Sequence, residues 1–97
     1  IAEAADNKRP EQAARLMACL KNRYGEATGL RYDHRITDDM TSYHAFGEVD
    51  PNNPAVIIET GYMNQDREIL TKNPAEVARG ITAGIMCYLN REEISPE

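Results

Sequence analysis

Glu59 closes a run of small and apolar residues, Pro54-Ala55-Val56-Ile57-Ile58, and is followed at once by Thr60-Gly61-Tyr62-Met63-Asn64. Val56, Ile57 and Ile58 are consecutive β-branched residues, which suit a strand buried on both faces, and Gly61 and Asn64 mark where the chain leaves the sheet. Ligands of open α/β sheets bind at the C-terminal ends of strands, where a carboxylate can reach a pocket without the full cost of burial. Spacing alone leaves a second reading open, in which Glu59 is a solvated acid or is bound by a nearby arginine.

Other residues compete for a chemical role. His34 and His44 are the available imidazoles, but they stand ten residues apart, which matches no compact zinc spacing. Asp33, Asp38 and Asp39 read as loop acids, and the regular alternation of a calcium loop is missing. Cys19 and Cys87 fall on two different predicted helices among apolar neighbours; the expectation is two buried free thiols, and the alternative is a disulfide between the helices. There is no glycine-rich phosphate loop, no serine nucleophile elbow and no Cys-x-x-Cys pair.

The elements that must position these groups follow from capping and periodicity. Pro10 in a first turn opens a helix to about Ala27, with Ala13, Leu16, Met17, Leu20 and Tyr24 as its apolar stripe and Gly29 as its left-handed stop. Residues 31 to 39 read as an irregular connection, 40 to 46 as a strand and 47 to 53 as a loop rich in turn formers. Beyond the Glu59 strand, Asn64 is expected to cap a short helix that carries Asp66 in its first turn, anchored by Ile69 and Leu70. A final helix begins with Asn73 as cap, Pro74 at the first position and Glu76 close to a capping box. Its stripe is expected to be Val77, Ile81, Ile85, Tyr88 and Leu89. Gly80 and Gly84 lie one turn apart in it, each costing about 1 kcal/mol relative to alanine, so close packing against a sheet or another backbone should compensate. Arg91 to Glu97 reads as a frayed acidic tail.

The segment Pro54 to Asn64, then Leu70, then Val77-Ala78-Arg79-Gly80-Ile81-Thr82-Ala83-Gly84-Ile85, resembles the closing part of the zinc-dependent N-acetylmuramoyl-L-alanine amidases of the type-3 family. The stretch Met40-Thr41-Ser42-Tyr43-His44-Ala45-Phe46 looks like the strand region preceding it. The resemblance implies an α/β fold, a sheet with helices packed on both faces, of which residues 1–97 are the C-terminal part as a single domain or half-domain. It assigns Glu59 the catalytic role of taking a proton from the attacking water and passing it to the departing amine. It also implies zinc, bound in the family by a His, a Glu and a second His. The loop and strand motifs that carry those ligands have no counterpart here, so the ligands are expected outside this chain, and the chain alone is expected to be inactive. Peptidoglycan is the implied substrate and the cell envelope or exterior the implied location. His44 falls where the family often has an aromatic residue.

Composition bounds the alternatives. Ninety-seven residues with 41% hydrophobic and 28% charged side chains fit one small globular domain. A net charge of −5 disfavours nucleic acid and anionic lipid. No apolar run approaches the roughly 20 residues of a membrane span, and Ile1 opens into an acidic, alanine-rich stretch unlike a signal peptide. A missing upstream half would leave an open sheet edge, to be filled by a complementary N-terminal amidase segment or by a second copy. Two other classes stay open: a noncatalytic peptidoglycan- or partner-binding module that keeps the amidase shape, and a small structural domain.

Overall fold

A computed structural model describes residues 2–5, 10–30, 50, 52–61 and 66–94. In chain order these form β1 (Ala2–Ala5), α1 (Pro10–Thr28), β2 (Val56–Glu59), α2 (Arg67–Lys72) and α3 (Pro74–Leu89). Helix predominates. The strands make one antiparallel pair in which Ala2 faces Glu59 and Ala5 faces Val56. The expected α/β sheet with helices on both faces is therefore overturned for the described residues. Val56, Ile57 and Ile58 are only half-buried, and the core lies between helices, where the fully buried side chains are found.

That core is an antiparallel contact of α1 with α3. Tyr24 meets Gly80, Leu20 meets Gly84, and Cys19 is bonded to Cys87, so α1 is read backwards as α3 is read forwards. Helix α1 forms because Pro10 suits a first turn and long straight side chains fill its interior. It ends at Gly29, whose φ of 74° suits a residue with no Cβ and whose N–H donates to the Gly25 carbonyl at 2.8 Å. Ala13, Cys19, Leu20 and Tyr24 are buried, and Leu16 and Met17 are half-buried, so the predicted stripe faces the partner helix.

The stripe of α3 differs from the expected one. Its buried residues are Gly80, Gly84 and Cys87; of the expected stripe Val77, Ile81 and Tyr88 are half-buried, while Ile85 is 44% and Leu89 63% exposed. Two glycines one turn apart let the backbones approach more closely than any side chain would permit. A Cβ at Gly80 would lie 2.9 Å from Tyr24 Cδ1 and 3.0 Å from Tyr24 Cα; one at Gly84 would lie 2.9 Å from Leu20 Cα. Another backbone is thus the compensation for the glycines, and this line of small residues makes the closest approach to α1.

The cysteines correct a second expectation, since they are paired instead of free. Their Cα atoms are 5.7 Å apart, within the range a disulfide requires, and both residues are completely buried. The bond joins positions 68 residues apart in sequence, and a cross-link of that span restricts the unfolded chain by about 4 kcal/mol in the chain-entropy account.

The ends of α2 and α3 depart from the predicted caps. Asn64 lies outside the described residues, and Asp66 takes the N-cap position of α2. Asn73 and Pro74 begin α3 as expected, but the Asn73 side chain makes no cap hydrogen bond, and Glu76 pairs with Arg79 instead of reaching back. The described part of the tail, 91 to 94, is held rather than frayed. The Glu92 N–H donates to the Cys87 carbonyl at 3.0 Å and the Arg91 N–H to the Tyr88 carbonyl at 3.3 Å, with Arg91 at φ 53° where glycine is usual. Arg15 donates to the Glu92 carbonyl, and Arg23 donates to Glu92 Oε1 and the Glu93 carbonyl, each at 3.1 Å. The Arg23 hydrogen bond, with Asn90 adding to it, holds the Glu92 carboxyl below its ordinary value.

Two outcomes follow from this packing. Gly80→Ala should lower stability by about 1–2 kcal/mol in urea unfolding, because overpacking against the fixed Tyr24 backbone outweighs the better helix propensity of alanine. Reduction of Cys19–Cys87 by a dithiol should lower the urea midpoint by the equivalent of about 4 kcal/mol, and an unchanged midpoint in the reduced protein would refute the bridge as a staple.

Candidate functional site

The approach to β2 is fixed by Asp50, whose side-chain Oδ1 accepts from the Asn52 N–H and whose carbonyl accepts from the Asn53 N–H, both at 2.9 Å. This is an Asx-type turn, as the turn formers of 47 to 53 suggest. Ala55 is buried, and the strand then runs to Glu59, its last residue, which is exposed. A carboxylate in that position is available to solvent and to a bound molecule.

The chain beyond Glu59 is anchored from α1. Tyr24 is completely buried, and its hydroxyl donates to the Thr60 carbonyl at 2.7 Å. The end of α1 that carries it is tied off locally: Thr28 Oγ1 donates to the Tyr24 carbonyl at 2.7 Å and accepts from the Leu30 N–H at 3.2 Å. Burial pushes the Tyr24 phenol above its ordinary value, and the Asp66 carboxylate adds to the shift by disfavouring a second negative charge nearby.

Asp66 is also drawn close to the exit of the strand. A Cβ at Gly61 would stand 3.0 Å from Asp66 Oδ2 and 3.1 Å from its Cβ, so glycine gives the start of α2 room to pack under Thr60-Gly61. The Asp66 carbonyl accepts from the Leu70 N–H at 3.1 Å as α2 begins. Thr60, Gly61, Asp66 and Tyr24 therefore form one cluster where α1, the end of β2 and α2 converge, and Glu59 is the strand residue next to it.

Of the residues singled out in the sequence, Glu59 stands at the strand end as expected. His34, His44, Asp33, Asp38, Asp39 and the predicted strand 40 to 46 lie outside the described residues. The described residues contain no group of three His, Cys, Asp or Glu able to hold a metal ion, and both cysteines are committed to the disulfide. They do not constitute a zinc site. The sequence does not mark Tyr24 and Asp66 as members of this cluster. Tyr24 reads as one more apolar member of a helical stripe, and the available signal is its hydroxyl, which needs a partner once the ring is buried.

A separate open groove of about 580 Å³ lies between the start of α1 and the end of α3, lined by Glu11, Gln12, Arg15, Tyr88, Leu89 and Arg91. It shares no residue with the Glu59 cluster. None of the described helices is long and apolar enough to cross a membrane. Comparison with family models, curated proteins and solved structures returned no match for the chain.

The Tyr24 environment sets an alkaline limit. A phenol whose value is raised on folding contributes stability that is complete below its unfolded value of 10.0 and is lost as pH rises through the folded one. The expected outcome is that the Tyr24→Phe protein lacks one component of the alkaline destabilisation seen in the parent above about pH 10. Thermal unfolding across that range checks it; parallel curves for the two proteins would contradict the raised value.

Proposed function

We propose that Glu59 is the catalytic carboxylate of a zinc-dependent amidase that cleaves the bond between N-acetylmuramic acid and L-alanine in peptidoglycan, with the zinc ligands supplied by residues outside this chain. The observation that carries this reading is the exposed Glu59 at the terminus of β2, immediately before a carbonyl anchored by a buried side chain. The likeness of Pro54 to Asn64 and of Val77 to Ile85 to the closing amidase segment supports it. The Cys19–Cys87 bond supports it from another direction, since disulfides persist in oxidising compartments such as the cell envelope and exterior.

In this reading Glu59 acts on protons. Water adds through its oxygen to the amide carbonyl carbon, Glu59 takes the proton released, and the same proton passes to the amine nitrogen as the C–N bond breaks. The products are the lactyl carboxylic acid, which keeps the second water proton until it ionises to solvent or to the amine, and the free L-alanine amine. An exposed carboxylate serves this cycle because it must accept and release a proton in each turnover.

The test supplies zinc and an N-terminal amidase segment carrying the His-Glu-His ligand set to this chain, with a muropeptide as substrate. Turnover is expected with Glu59 and a loss of about 10²- to 10⁴-fold with Glu59→Gln, with Tm unchanged because the side chain is exposed. Full activity in the Gln protein, or binding of glycan without hydrolysis by the unsubstituted pair, would overturn the assignment.

A further inference from the structure

We infer that Tyr24 is a positioning residue for Glu59, holding the backbone that carries the carboxylate through the Thr60 carbonyl; this rests on the reading of Glu59 given above. The pairing of β2 with β1 runs only as far as Glu59 opposite Ala2. The next carbonyl, that of Thr60, lies past the ladder and has no strand partner in it. Here it accepts the Tyr24 hydroxyl at 2.7 Å. The Glu59 backbone is thus held at its own ladder position and by the anchored carbonyl after it.

The anchor is rigid for reasons outside the site. The Tyr24 ring has no exposed surface. It lies where a Cβ at Gly80 would stand 2.9 Å from Cδ1, so the bare backbone of α3 seats the ring and aims its hydroxyl at β2. Gly80 and Tyr24 perform no chemistry themselves. Their effect is to fix the backbone that carries a carboxylate, which must come within about 2.6–3.2 Å of the proton it moves, a requirement for which about 1 Å of misplacement can cost about 10²-fold.

Tyr24→Phe keeps the ring and removes only the anchor. Two measurements decide the matter, with Leu20→Val, a truncation in the same helix contact that makes no bond to β2, as the stability control. In 15N relaxation of this chain, the order parameters of Glu59 and Thr60 are expected to fall from about 0.85 toward about 0.6 in Tyr24→Phe and to hold in Leu20→Val; unchanged values in Tyr24→Phe overturn the inference. In the zinc-loaded assembly, Tyr24→Phe should lower kcat tenfold or more with KM unchanged, and equal loss in Leu20→Val would reduce Tyr24 to a structural role and overturn it. Absence of turnover in the parent assembly refutes the amidase reading alone, and the relaxation result then decides whether Tyr24 orders the Glu59 backbone.

Discussion

The close approach of α1 and α3 is the constraint on which the remaining geometry depends. Helices carrying ordinary side chains pack with axes about 8–10 Å apart. Gly80 and Gly84 remove the intervening side chains, and the Tyr24 and Leu20 backbones occupy the space. Each glycine sacrifices helix propensity, which a solvent-facing position would not repay. The return is a dense contact of backbone, Tyr24 and Leu20, closed at its other end by a buried disulfide. Because Tyr24 belongs to this contact and also reaches Thr60, the helix pair sets the position of the strand end.

Different parts of this arrangement were legible in the sequence for different physical reasons. Helix bounds come from local signals: Pro10 and Pro74 at first turns, and Gly29 at a left-handed stop, are determined by their own backbone chemistry. The strand at Val56–Glu59 was legible as a strand, but β-branched residues do not say which segment pairs with them. An antiparallel partner at Ala2–Ala5 could not be deduced from a run that fits a parallel sheet equally well. Counting large apolar residues on α3 finds the half-buried Val77, Ile81 and Tyr88 but adds the exposed Ile85 and Leu89 and misses the fully buried line, because glycines register as absence of hydrophobicity. The cysteine pairing was a matter of tertiary proximity, which spacing in the sequence does not encode.

The tail shows the same limit in electrostatic form. An acidic segment containing a proline looks solvated when read alone. Arg15 and Arg23 lie some 70 residues earlier, and Glu92 meets them only because α1 and α3 run antiparallel. The left-handed Arg91 is tolerated because both hydrogen bonds of the helix stop are made around it and the following residue is tied to α1. A conformation that costs a side-chain residue about 1–2 kcal/mol is held by several directed bonds.

Glu59 and Asp66 are two carboxylates at one strand end in different surroundings. Glu59 is exposed, whereas Asp66 is half-buried beneath Gly61 and close enough to the Tyr24 phenol to help raise its value. The use of a phenol has a consequence for the anchor. Through the neutral range Tyr24 remains a protonated donor, so its bond to Thr60 does not change as a neighbouring carboxylate gains or loses a proton. The chemistry proposed for Glu59 requires a group that cycles between charged and neutral forms, and the support beneath it must be indifferent to that cycle. A histidine or a second carboxylate in the place of Tyr24 would couple the backbone to pH in the same range. A buried phenol avoids that coupling because its neutral, bond-donating form is the one favoured by burial and by Asp66.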